Sequence, residues 1–259
     1  MNIPETGFEG IIAFIFGVCI GSFLNVCIHR IPNSISIVSP PSACPHCKTQ
    51  IRFYDNIPLL SYLLLRGRCR YCNASISFRY FLVEIIGGGF ALATLLNFGF
   101  TFEGLIYYVF ITILIIISFI DVDSKTIPDM ITIPGIPVFF LASFALPKVT
   151  YIDTALGILA GGGSLFTVAL TYYLLTKKEG MGGGDIKLLA MVGAIIGWQG
   201  VFFTIFIASM VGTLIGLLMM LFTKSSMKMA VPFGPFLSIG AIIYIFFETP
   251  ITFWYLHLL

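Results

Sequence analysis

The sequence predicts an all-α polytopic membrane protein with about eight transmembrane helices and one small cytoplasmic loop domain. Three observations carry that prediction. The chain is 58% apolar and 10% charged, with a mean hydropathy of +1.01, which excludes an ordinary soluble domain. Its apolar residues fall into runs of about 20 with few charges, long enough to cross a bilayer as helices. Its basic residues fall almost wholly on one side of those runs. No strand-like alternation points to a barrel, and backbone groups in lipid must pair internally, so helices are the form expected.

Taken in order, the spans expected are 10–28, 80–97, 105–120, 131–147, 153–175, 187–200, 201–222 and 236–257. The sixth is short and glycine-rich. With the N-terminus outside, the loop at 29–79 faces the cytoplasm with Arg30, Lys48, Arg52, Arg66, Arg68, Arg70 and Arg79. Alternation places Lys125, Lys177, Lys178, Lys187, Lys224 and Lys228 on the same side. Of the 14 basic residues only Lys148 falls outside, as the positive-inside rule requires. The leading MNIPETGFEG carries two acids, no base and no A-x-A site, so the first helix is expected to remain uncleaved. A net charge of +2 argues against a nucleic-acid partner; the basic face suits anionic headgroups. The expected organisation is an N-terminal transmembrane helix over 1–28, a cytoplasmic four-cysteine domain over 29–79 and a membrane domain over 80–259.

The loop domain reads SACPHCKTQIRFYDNIPLLSYLLLRGRCRYCNASISFRY. Cys44 and Cys47 form one C-x2-C and Cys69 and Cys72 another. Four thiolates in two such knuckles suit a tetrahedral zinc ion. Two disulfides are the competing reading, which a reducing cytoplasm disfavours. The ion is expected to be structural, because four cysteines leave no open position, and to staple a loop whose apolar core is thin. His46 either displaces one cysteine as a ligand or, the favoured reading, is a solvated surface histidine, and Cys19 and Cys27 read as small apolar fillers of the first helix.

Two acidic stretches bear on chemistry. SFIDVDSKTIPD, residues 118–129, ends the third span and holds Asp121, Asp123 and Asp129. EGMGGGDIKLLA, residues 179–190, opens the sixth and holds Asp185. Alternation brings Asp121 and Asp185 to the same cytoplasmic border, and acids at membrane depth are costly, by up to about 3 kcal/mol toward the centre, so they tend to be functional. The plain alternatives are a polar inter-helix loop and an N-cap aspartate after a flexible glycine turn.

Several blocks together resemble the bacterial type IV prepilin peptidases, leader peptidases and N-methyltransferases of the GxGD aspartyl protease family. They are GSFLNVCIHRIP (21–32), CPHC with DNIPLLSYLLLRGRCRYC (44–72), ISFRYFLVE (76–84), IDVDSKTIPD (120–129), GMGGGDIKLLA (180–190) and VPFGPFLSIGA (231–241). The resemblance implies that Asp121 and Asp185 are the catalytic pair. Phe81 departs from the proline that the family commonly places after RY, and Gly184 keeps the GxGD motif intact.

Two neighbouring aspartates share a proton: the charged one deprotonates a water and the neutral one donates to the scissile carbonyl. Asp123 and Asp129 are expected to orient, cap or contact substrate. Lys187 either biases the pair or snorkels at the interface. The implied substrates are type IV prepilins or pseudopilins, with a basic leader, a glycine before the cut and a long apolar helix. Methylation implies S-adenosyl-L-methionine, although no Rossmann G-x-G-x-x-G is present to hold it. Glu84 is the candidate contact for that cofactor or for the amine, by Coulomb attraction, or else an interfacial acid paired with Arg79 or another arginine. Asn25 is a second polar candidate or an interhelical hydrogen bond, and Gly87, Gly88, Gly89, Gly161, Gly162 and Gly163 are expected to serve close helix packing. Two rival readings are a metal-linked membrane transporter with intramembrane aspartates, which predicts acids near mid-bilayer and an internal repeat, and a non-catalytic zinc-loop scaffold.

Overall fold

The computed structural model describes residues 6–178, 180–223 and 232–258. They form α1 (Thr6–Arg30), a short 3-10 turn (Phe53–Asn56), α2 (Leu60–Leu64), α3 (Phe78–Phe98), α4 (Phe102–Ser124), α5 (Asp129–Ser143), α6 (Tyr151–Thr176), α7 (Gly183–Thr223) and α8 (Gly234–Leu258). No named strand occurs among the described residues, only two isolated bridges. The chain divides into two compact units, one up to Thr112 and one from Ile113. Five helices are long and apolar enough to cross a membrane, α1, α3, α4, α6 and α7; Asp129–Ser143 and Gly234–Glu248 are shorter apolar helices. The chain is thus all-helical and multi-pass.

In the first unit α1 packs on α3 through glycines. A methyl group at Gly17 would stand 2.6 Å from the Gly87 carbonyl oxygen, and one at Gly21 would stand 2.7 Å from Glu84 Cα. Only hydrogen fits at such a crossing, so the two backbones touch. The Asn25 amide adds a bond to the Tyr80 carbonyl at 3.0 Å, the interhelical bond that was one of its two readings. Ser77 caps α3 by accepting the Arg79 amide at 3.3 Å.

In the second unit the early part of α7 is the buried centre. Leu188, Leu189, Met191, Val192 and Ile195 are fully buried, as are Leu114, Ile117 and Ile120 of α4. Gly157 of α6 meets Gly193 backbone to backbone, and Gly161 meets Leu189. Of the six glycines expected to serve packing, Gly87, Gly88 and Gly161 sit at such crossings, Gly162 makes an ordinary contact with Ala190, and Gly89 and Gly163 face open space. The tightest contact, Gly157 on Gly193, involves neither glycine triplet.

α7 is two helices joined at Gly197, where φ is +68° and ψ −179°, a conformation that favours glycine. The joint lies three residues before the boundary expected after residue 200. Contacts show that the chain reverses there. A methyl group at Gly184 would press on Ile127, which also lies 3.2 Å from one placed at Gly234; one at Gly212 would stand 3.1 Å from the Phe236 ring. Residues 184 and 212 therefore both lie near the start of α8. A straight helix would separate them by about 42 Å. α8 then runs back along the second half, with Gly240 on Thr204 and the Tyr244 ring 5.7 Å from Phe203.

Candidate active site and metal centre

The cysteine loop folds as two matched knuckles. In the first, the Cys44 amide donates to Thr49 O at 3.0 Å and the Lys48 amide to Cys44 O at 2.9 Å; in the second, Cys69 donates to Ala74 O at 2.9 Å and Asn73 to Cys69 O at 3.0 Å. Bridges Ala43–Gln50 and Arg68–Ser75 close each one, and Lys48 and Asn73 both take a positive φ. The four thiols are free, and their sulfur atoms all lie within 4.8 Å of one another. Cys44 Sγ is 3.8 Å from Cys72 Sγ, and Cys47 Sγ is 3.9 Å from Cys69 Sγ. A tetrahedron of thiolates around zinc has edges of about 3.8 Å, so the set fits a metal ion and is too open for disulfides. Hydrogen bonds from the Thr49 side chain and backbone draw the Cys47 thiol down to about 6. The Cys72 and Tyr71 amides lower Cys69 in the same way. Both effects favour the thiolate a metal needs, whereas at Cys72 the Ala74 amide pulls the same way but burial and the other three cysteines push the thiol up to about 11. His46 is not among the clustered ligands.

The elements that carry the two acids converge in the second unit. Asp121, in the last turn of α4, is buried and accepts the Gly234 amide at 2.9 Å. Asp185, the third residue of α7, is half-buried, and its neighbour Gly184 packs on Ile127, the side chain that also flanks Gly234, the donor to Asp121. It stands inside the helix, so it is not the N-cap that the plain reading supposed. Gly234 is the first residue of α8, and its N–H is one of the donors a helix start leaves unpaired; Asp121 satisfies it from another helix. A methyl group at Gly234 would stand 2.8 Å from Asp121 Oδ2. Gly234 and Ile127, which lies between the two glycines Gly184 and Gly234, are site residues that the reading of acids missed. The signal was FGP at 233–235, a glycine whose helix must start in contact with something.

Asp129, at the start of α5, takes both bonds from Lys187 Nζ at 2.7 Å, so Lys187 is committed to Asp129. Asp123 is exposed on the final turn of α4. In the first unit Glu84 is buried and accepts the Leu59 amide at 2.8 Å and a Ser22 hydroxyl. These two bonds come from the loop and from α1.

Residues 15–98 match the family described as Bacterial Peptidase A24 N-terminal domain, and residues 108–217 match the Type IV leader peptidase family. A prepilin leader peptidase/N-methyltransferase of Aeromonas hydrophila is 36% identical over 95% of this chain and 93% of that one. One of Stutzerimonas stutzeri is 37% identical over 95% and 93%. One of Myxococcus xanthus is 40% identical over 81% of this chain and 63% of its own. No solved structure matches the chain.

Proposed function

The chain belongs to the type IV leader peptidase family, and from that membership we propose that it removes basic leaders from type IV prepilins or pseudopilins at the cytoplasmic face of a bacterial inner membrane and N-methylates the new terminus. Asp121 and Asp185 are the proposed catalytic pair. The observation that carries this is that Asp121, held by a buried backbone donor, and Asp185, 64 residues further along, sit on elements that converge on Ile127. The ionised carboxylate takes a proton from water, and the oxygen attacks the scissile carbonyl carbon. The protonated partner donates to the carbonyl oxygen, and collapse of the tetrahedral intermediate returns a proton to the leaving nitrogen. The Gly234 N–H holds the Asp121 carboxylate in place. Eight crossings with the N-terminus outside accord with the reversal at Gly197 and with the basic residues.

The metal is proposed to be zinc, held by Cys44, Cys47, Cys69 and Cys72; when bound it ties the two knuckles together and supplies no step of the cleavage. S-adenosyl-L-methionine is the proposed methyl donor. Glu84 suits its cationic sulfonium, or the substrate amine, because it is a carboxylate buried beside the first helix, where a cation is drawn to it by Coulomb attraction. The reading is tested by co-expressing a prepilin with Asp121→Asn or Asp185→Asn protein. Each change should abolish leader removal at normal protein level; processing by either variant refutes the pair, and an unmethylated mature terminus in the presence of the donor removes the transferase.

A further inference from the structure

We infer that α2 (Leu60–Leu64) is an interfacial membrane anchor, its leucines in the acyl border and Arg66 and Arg68 on the phosphates of anionic phospholipid. The inference is independent of the catalytic reading.

Depth is the first argument. The Leu59 amide is bonded to Glu84, six residues beyond the start of α3, which is about 9 Å along that helix. The loop thus does not stand off into the cytoplasm at this point; it returns to the level where α3 is already membrane-spanning. Packing fixes the orientation. The Tyr62 ring sits 5.2 Å from Phe81 and 6.4 Å from Phe78, so this side of α2 is turned to α3. Phe81, unusual at its position in the family resemblance, is half of that contact.

The opposite face is the second argument. Leu60, Leu63 and Leu64 share one stripe at i, i+3 and i+4, and are 57%, 59% and 80% exposed. Beside α3 at that depth the medium they meet is lipid, and Leu82 and Ile85 of α3 are exposed apolar residues too.

Charge is the third. Leu64, Arg66, Arg68, Arg70 and Asn73 line one cleft. Arg70 is taken by Asp55, with three hydrogen bonds between 2.6 and 3.0 Å. Arg66 and Arg68 are exposed and have no acidic partner among the described residues. Two guanidinium groups just beyond these exposed leucines match phosphate at the headgroup level and repel a basic leader peptide.

The test uses the full chain with Trp198→Phe and Trp254→Phe as a tryptophan-free parent and Leu64→Trp as reporter, in vesicles containing lipids brominated on the upper acyl chain. Ile85→Trp on α3 controls for insertion and fold. The Leu64→Trp emission should be quenched about twofold or more, as at Ile85. Phosphatidylglycerol should deepen that quenching over phosphatidylcholine alone, and Arg66→Gln with Arg68→Gln should remove the increment. A water-like, unquenched reporter in a protein whose Ile85→Trp is quenched overturns the anchor. So does a reporter shielded from both water and bromine, which marks a protein occupant, either a second copy or a client. A phosphatidylglycerol effect unchanged without the two arginines overturns the headgroup assignment.

Discussion

The cysteine centre and the acid centre are built in opposite ways. The first comes from one stretch of about 30 residues, as two knuckles with the same hydrogen bonds, and its geometry is local. The second is drawn from the end of α4, the start of α7 and the start of α8, at positions 121, 185 and 234, and exists only if those helices pack correctly. A local centre tolerates change elsewhere and depends on its own ligands. An assembled centre is sensitive to any misplaced backbone nearby.

That difference can be broken most forcefully at the acids themselves. Asp121→Asn or Asp185→Asn should lower the cleavage rate by roughly 10²–10⁴-fold, with metal content unchanged by elemental analysis. Next comes the backbone that frames them. Gly234→Val would force a side chain against Asp121 Oδ2 and Ile127, which is overpacking worth about 1–3 kcal/mol in thermal unfolding and, by displacing the carboxylate, about 10²-fold in cleavage.

The local centre should respond separately. Cys69→Ser, or chelation, should take the metal from about one ion per chain to none and open the loop to proteolysis, with a smaller loss of cleavage than Gly234→Val. Full metal content in Cys69→Ser protein would exclude the four-cysteine site. The smallest effect is expected at Lys187→Met. Its pair with Asp129 is well exposed, worth about 0–1 kcal/mol, and it is turned from Asp185, so the pH profile of cleavage should keep its shape. A shifted profile would restore Lys187 as a modulator of the acids.

Legibility in the sequence followed the same division. The knuckles could be read because C-x2-C spacing is itself the geometry. The helices could be read because apolar length decides them; even the division of the long apolar stretch after residue 187 was visible, although it turns at Gly197 rather than after residue 200. Asp121 and Asp185 stood out because charge at membrane depth is costly. Gly234 did not, because a backbone N–H carries no letter of its own. Nor did the Gly157–Gly193 crossing, since glycine triplets attract attention and single glycines that meet in space do not. Glu84 was visible as an acid, but its partners, an amide from the loop and a hydroxyl from α1, depend on how α2 lies against α3.

The most direct test of joint action by the two aspartates is a double-mutant cycle on leader cleavage by purified protein in liposomes. If Asp121 and Asp185 activate one water together, the protein carrying both asparagines will be no slower than either single variant. Losses that multiply, or a single variant that still cleaves near the unmodified rate, would contradict the shared site.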